Sequence, residues 1–462
     1  MLDRVLRTVP LFVFAAACVT CLGHCKSSVQ DQPVDATTSP PDDVDRMQPD
    51  GASEVGPPLE MTETPDADRC GAPASATLEH AAVPKGHCAW VFADETPGAR
   101  GIAVDSEGHV IVVTRGNGEL VSLHDDDGNR VIGEGERTVL LGNTPGLNHG
   151  LRLHGGYLYA SSATTVYRWP YSAGQESTLT DREVVVKGIP GGGHATRTLA
   201  AKENSDWMYV NVGSVGNTRA GEGRSTIRRY DLSSIPDGGY PWKEGGVQAS
   251  GLRNEVAVEF DPQGRLWGMQ NGMDNLYRED LGGDIHPDNP GEELNFLDNK
   301  GEFHGYPYCW SEFRLPDEYA KGAGTQWATP QYMDDGTHTD AWCRDESNVR
   351  PPELVVQGHS APLGLIFYQA DELDSALKGD IVAALHGSWN RPVPTGYKVI
   401  RIPMTGGGEP VRVDPLLEFA GEGDTHDTKW PHRPVEPAVA ADGTLLVTSD
   451  ASDVVMAVGA EE

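Results

Sequence analysis

Beyond Cys88 the chain alternates apolar and polar residues in short runs, and the alternation recurs. "GIAVDSEGHVIVVTR" begins at Gly101, "HGLRLHGGYLYASS" at His149 and "ATRTLAAKENSDWMYVNVG" at Ala195. "NEVAVEFDPQGRLWGMQNG" begins at Asn254, "PLGLIFYQADELDSALKGDIVAALHG" at Pro362 and "RPVEPAVAADGTLLVTSD" at Arg433. Each joins two strand-like runs, rich in Val, Leu, Ile and Tyr, across a turn carrying Asp or Gly. No comparably long amphipathic helical pattern interrupts them. The first three intervals between starts span 46 to 59 residues, the period of propeller blades. Six copies predict an all-β, six-bladed β-propeller over residues 70–462. The longer later gaps predict insertions on one face, and Cys309 and Cys343 lie in one of them. A propeller has a central channel, so residues far apart in sequence converge there.

The N-terminus reads differently. Arg4 and Arg7 precede "VPLFVFAAACVTCLG", an apolar run too short for a comfortable membrane span and suited to the core of a secretory signal. "AAAC", ending at Cys18, resembles a bacterial lipoprotein cleavage site, although Ala15 stands where a larger aliphatic is usual. Residues 1–25 are therefore expected to be a signal peptide of lipoprotein type. That implies export to the periplasm or cell surface, with membrane attachment only through an N-terminal lipid. Residues 26–69 contain no aromatic side chain and carry eleven acids against three bases. Such a segment buries too little apolar surface to offset chain entropy and is expected to be a disordered acidic tether. The four cysteines beyond the signal predict disulfides in an exported chain. The pairs Cys70–Cys88 and Cys309–Cys343 are favoured because each closes a local loop.

Charge removes some partners. Lys plus Arg number 36 and Asp plus Glu 69, a formal charge of −33. A chain this acidic is repelled by phosphate backbones, which argues against nucleic acid. There is no P-loop, no H-E-x-x-H and no G-x-G-x-x-G in a strand–helix setting.

The candidate chemistry lies in loops flanking the apolar strands: "GGGHATR" around His194, "GLRNEVAVEF" around Arg253, "NGMDN" over 271–275, "ALHGSWNR" and "HRPVEP". These motifs, with "APLGLIFY" and "GYKVIRIP", resemble the PQQ-dependent soluble glucose dehydrogenases and L-sorbosone dehydrogenases, six-bladed quinoproteins. The resemblance runs from about His149 to the C-terminus. It implies an exported dehydrogenase that oxidises a sugar, or a sugar-derived aldehyde or alcohol, by hydride transfer to calcium-bound pyrroloquinoline quinone (PQQ). Electrons would pass to an external acceptor, since no haem-attachment motif exists in the chain. The chemistry is coherent. A planar quinone bearing three carboxylates calls for arginine forks and a hard, oxygen-ligated cation. A neutral histidine can take the substrate's hydroxyl proton.

By resemblance, His194 would be the base, and Arg253 would neutralise the cofactor and touch the reacting oxygen. Asn254, Arg391 and Arg433 would bind the cofactor, and Trp389 would cover its ring. Gly272 and Met273 would give backbone carbonyls to calcium, with Asp274 beside them. Three departures bear on substrate and cofactor. Gly193 precedes the histidine where glucose-oxidising members carry an acid, Arg197 follows one residue closer, and Glu436 brings an anion towards an anionic cofactor. Plainer readings give His194 a backbone partner, pair Arg253 with Glu255 or Glu259, make "NGMDN" a metal-free turn and pack Trp389 between blades. A non-catalytic surface propeller that binds carbohydrate or protein, or a calcium-dependent lactonase, are the competing functions.

Overall fold

The computed structural model describes residues 55–421 and 430–462. The signal-peptide expectation, Cys18 and the tether as far as residue 54 lie outside the described residues. Six sheets of four or more strands form the blades, antiparallel except for a short parallel outer strand in two of them. Their innermost strands are Ala99–Val104, Leu147–His154, Leu199–Ala201, Glu255–Phe260, Pro362–Phe367 and Pro434–Val439. Each belongs to one of the six repeats seen in the sequence. We number the blades 1 to 6 in that order.

Period-two alternation explains how the blades pack. In blade 5 the strand Ile381–Leu385 reads "IVAAL", buried throughout. Ile381, Ala383 and Leu385 face blade 4, in a cluster with Trp267, Met269 and Leu294. Val382 and Ala384 face blade 6, in a cluster with Leu445, Val447 and Met456. Blade 1 repeats the device: Val110 and Val112 pack towards blade 6, Ile111 and Val113 towards blade 2. A strand covered on both faces needs no polar alternation, which is why these second strands are continuous apolar runs.

The ring closes by mixing the termini. Val454–Ala460 pairs with His87–Ala93, which becomes the outer strand of blade 6. The Cys70–Cys88 disulfide ties the preceding segment to that strand, and Cys309–Cys343 forms as expected. The tether does not run to Arg69. Met61–Glu63 pairs antiparallel with Ala81–Pro84, which itself pairs with Asp414–Phe419 of blade 5. Composition hid this short edge strand, because its backbone partners come from far along the chain. The expected insertion lies in blade 4, over 271–291 and 297–353, and has a core of its own around Met273, Tyr306, Trp310 and Trp327.

Candidate active site

Every inner strand starts at the same mouth of the channel, so the segment leading into it, and the loop after the second strand, meet there. His194, Arg253 and Arg433 hold the first kind of position, and Asp274 and Arg391 the second. The single face that the motifs require therefore follows from topology.

His194 is delivered by glycines. Gly193 adopts φ +56°, and a Cβ there would lie 2.6 Å from the Ser214 carbonyl oxygen. A Cβ on Gly213 would lie 2.6 Å from the His194 Cβ and 2.5 Å from Asn254 Oδ1. Both positions must lack a side chain for the loop to come this close. Arg197 is fully buried and donates to the carbonyls of His194, Thr196, Pro190 and Ala163. Arg224 donates to the carbonyls of Gly191, Gly192 and Gly213. Arg197 thus pins the loop from behind and does not face the channel.

The network assigns the imidazole tautomer. Nδ1 lies 3.2 Å from the Ser214 carbonyl oxygen and 2.9 Å from Ser214 Oγ. That hydroxyl donates its proton to the Gly216 carbonyl at 2.8 Å. A carbonyl cannot donate, so Nδ1 carries the ring proton and Nε2 keeps its lone pair. Nε2 bonds no described residue. Burial, and then the neighbouring Arg253 guanidinium, push the pKa down to about 4. The plain reading of a carbonyl-bonded histidine therefore accounts for one nitrogen, and the other is a neutral acceptor at pH 7.

Arg253 is 5% exposed and pairs with neither Glu255 nor Glu259. Its Nη2 donates to Asp274 Oδ2 at 2.8 Å and to Asn217 Oδ1 at 3.0 Å, and its Nη1 to the Asn271 carbonyl at 3.2 Å. Its backbone amide donates to Gln270 Oε1 at 2.7 Å. The expected partners point away because strand alternation from Glu255 turns that carboxyl into the blade, beside Asn295, and Glu259 lies at the strand's far end, on Arg152. Both oxygens of Asp274 are engaged, the second by Asn390 Nδ2 at 3.1 Å. The carbonyls of Gly272 and Met273 accept no hydrogen bond from a described residue, whereas the Gly272 amide donates to buried Glu292. Burial pushes the Glu292 carboxyl up to about 7. Asn254 is buried, its Nδ2 is 3.5 Å from Asn271 Oδ1, and its own Oδ1 has no partner among the described residues.

The blade 5 loop supplies the opposite wall. Arg391 pairs with Asp288 at 3.0 Å. Arg433 donates to the carbonyls of His386, at 3.0 Å, and Gly387, at 2.6 Å. Trp389 is 73% exposed, so it does not pack between blades. The motifs did not mark a further cationic group. Asp450 accepts from His386 Nε2 at 2.8 Å and from Arg100 Nη1 at 2.8 Å, with Arg115 at 3.8 Å. Arg100 is the second residue of the first strand of blade 1, and Arg115 directly follows the second strand, Val110–Thr114. No local sequence signal marked them, because Asp450 reaches Arg100 and His386 only across blades. Of the remaining channel candidates, His149 faces Glu436, His359 Nδ1 lies 3.9 Å from Asp274, and His304 is buried where the blade 4 insertion meets Ser250 of blade 3.

Residues 81–461 match the family described as TrAA12-like. The chain belongs to that family. It is 34% identical over 322 residues to a pyrroloquinoline quinone-dependent pyranose dehydrogenase of Coprinopsis cinerea. The match covers 66% of this chain and 42% of that enzyme, so the chain spans less than half of that relative's length. A pyrroloquinoline quinone-dependent sugar dehydrogenase of Hypocrea jecorina is 35% identical over 58% of this chain and 66% of its own. Among solved structures, the holo form of the Coprinopsis pyranose dehydrogenase PQQ domain superposes with a TM-score of 0.71 at 30% identity. That superposition covers 82% of this chain and 97% of the domain. A calcium structure of a Trichoderma reesei AA12 enzyme gives 0.74 at 28% identity, over 83% and 98%. The TrAA12-like match thus covers all six blades and leaves out the described residues 55–80, with the edge strand and Cys70.

Proposed function

We propose that the chain is an exported quinoprotein dehydrogenase that oxidises a sugar using PQQ and calcium. The observation that carries this reading is His194. One nitrogen is fixed by Ser214, the other is an unprotonated acceptor, and five arginines stand around the same mouth. The residues fit the cofactor. Arg100, Arg115, Arg391 and Arg433 would hold its carboxylates, Arg253 and Asn254 its quinone side, and exposed Trp389 would lie over the ring. The carbonyls of Gly272 and Met273 are free of described donors and suit calcium, whose ligands are oxygens. Asp274 would balance charge beside them while fixing Arg253. When bound, the calcium-ligated quinone supplies the hydride acceptor.

The chain's own part is proton handling and orientation. His194 Nε2 takes the hydroxyl proton of the sugar carbon being oxidised. The Ser214 carbonyl, already accepting from Nδ1–H, stabilises the resulting imidazolium. Arg253, held by Asp274 and Asn217, stays rigid while it faces the oxygen on which negative charge develops. Gly193, where an acid would otherwise stand, leaves the base without a carboxylate neighbour and keeps it neutral. The two disulfides agree with an oxidising compartment.

Titration of the calcium-loaded protein with PQQ, followed by visible and near-ultraviolet absorbance, tests the reading. Saturable binding and dye reduction with pyranoses are expected. Absence of binding, or hydrolysis of lactones without any redox response, overturns it.

A further inference from the structure

The inner strands that begin at the His194 mouth end at the opposite face, and there the channel widens into a cavity of about 460 Å³. Its ionisable lining is Glu203, Glu259, Glu436, Arg152, His149 and His154. Arg152 is already satisfied. It grips both oxygens of Glu259 and donates to the Ala201 carbonyl at 3.1 Å. Glu436 is not. Its Oε2 is buried without a hydrogen bond from a described residue and lies 3.3 Å from His149 Nε2, with Glu259, Arg100 and Arg152 acting on the carboxyl from farther off. His149 is 1% exposed and its Nδ1 has no partner among the described residues. Glu203 stands exposed at the rim.

This is the residue that seemed out of place in the sequence. Glu436 stands three positions beyond Arg433, on the strand that runs down the channel, so it lies below the mouth and looks into the cavity. Arg152 is occupied by Glu259, and neither it nor Arg100 hydrogen-bonds Glu436, so the cavity presents a half-buried carboxyl awaiting a donor. A buried carboxylate without a hydrogen-bonding partner is costly, and a bound cation relieves that cost. Among the described residues no third side chain joins Glu436 and His149 as a group fit to ligate a metal. The rest of the wall includes Val104, Leu151 and Ile366, which favour a guest with a hydrocarbon body.

We propose that this far half of the channel is a binding site for a small organic ammonium ion, with Glu436 as its counter-ion and Glu203 guiding entry. The site is separate from the mouth and stands whether or not the dehydrogenase reading does.

Calorimetric titration of the full chain, without quinone, tests it with n-butylammonium chloride as probe and n-butanol and potassium chloride as comparators. One butylammonium per chain is expected, with neither comparator binding. Glu436→Gln, close in shape, should weaken binding at least tenfold. Glu203→Gln, at an exposed position that cannot compromise folding, should weaken it two- to threefold. Circular dichroism checks that both variants fold. Equal binding of butanol, displacement by potassium or calcium, or an affinity indifferent to both substitutions overturns the proposal. Because no turnover is read, failure of the dehydrogenase reading leaves this result untouched.

Discussion

The two ends of one channel are built from the same six strands and carry opposite chemistry. At the mouth, loops and strand starts gather Arg100, Arg115, Arg253, Arg391 and Arg433 against Asp274, Asp288 and Asp450. Farther down, the same strands carry Glu259 and Glu436, with Glu203 just beyond the third strand, beside Arg152. Strand geometry is common to both, so the sign of each region is set by which side chains the strands and their flanking loops place there. A whole-chain charge of −33 conceals this. Net charge is informative about solubility and about polyanionic partners, whereas the local field at the mouth is cationic.

The comparison can be broken first at His194, the proposed base. His194→Ala is expected to lower kcat by about 10²- to 10⁴-fold, the usual contribution of a general base, while quinone binding persists. Steady-state kinetics and the absorbance titration separate the two. In the parent, the acid limb of kcat/KM should report a group near pH 4, since the imidazole is held to about 4. A limb at the ordinary histidine value would mean another base.

Arg253→Ala attacks the charge pattern itself. Arg253 and Asp274 are paired at 2.8 Å with side chains 6% and 20% exposed. Removing one partner of such a pair costs about 3–5 kcal/mol. Urea denaturation should show that loss, and unchanged stability would mean that water reaches Asp274 freely.

His304 belongs to neither end and serves as a control. Its ring nitrogens have no partner among the described residues, and burial pushes its pKa down to about 3. A neutral buried histidine contributes its full stability above the unfolded value of about 6.5, and that contribution is lost as pH falls towards 3. His304→Leu should therefore gain on the parent as the solution is acidified, by about 3 kcal/mol at pH 4. A constant difference across that window would contradict the burial.

Glu436→Gln sharpens the contrast from the far end. Burial and Glu259 raise this carboxyl well above the ordinary range. Its neutral form stabilises the fold at low pH, and that stability drains away as pH rises through the raised value. Without added cation the variant should match the parent at pH 4 and melt higher at pH 8. A lower melting point at pH 8 would mean that the carboxylate is compensated. The smallest effect is expected at Trp389→Ala. An aromatic contact worth about 1 kcal/mol would cost some fivefold in quinone affinity. The melting temperature should not move, because the ring is 73% exposed.

Much of this was legible in the chain. The six repeats each coincide with an inner strand, because turn chemistry and period-two alternation are local and survive without a third dimension. The two disulfide pairs were legible because each closes a short local loop. The mouth was legible at His194, Arg253 and Arg433, where unusual residues interrupt a recognisable strand start. Met61–Glu63 was not, since an edge strand of three residues takes its identity from its neighbours. Arg100, Arg115 and Asp450 were not, since each looks like an ordinary surface residue until the ring brings blades 1, 5 and 6 together.

The sequence by itself determined the repeat, the strand register and the residue types offered at each strand end, because hydrophobic periodicity encodes which side of a strand is buried. Only the tertiary structure decided the partners: that Arg253 would grip Asp274 and not Glu259, that Ser214 would set the tautomer of His194, and that Glu436 would look down the channel. Those outcomes depend on distances between blades, and a closed ring fixes such distances through contacts that no local stretch of sequence contains.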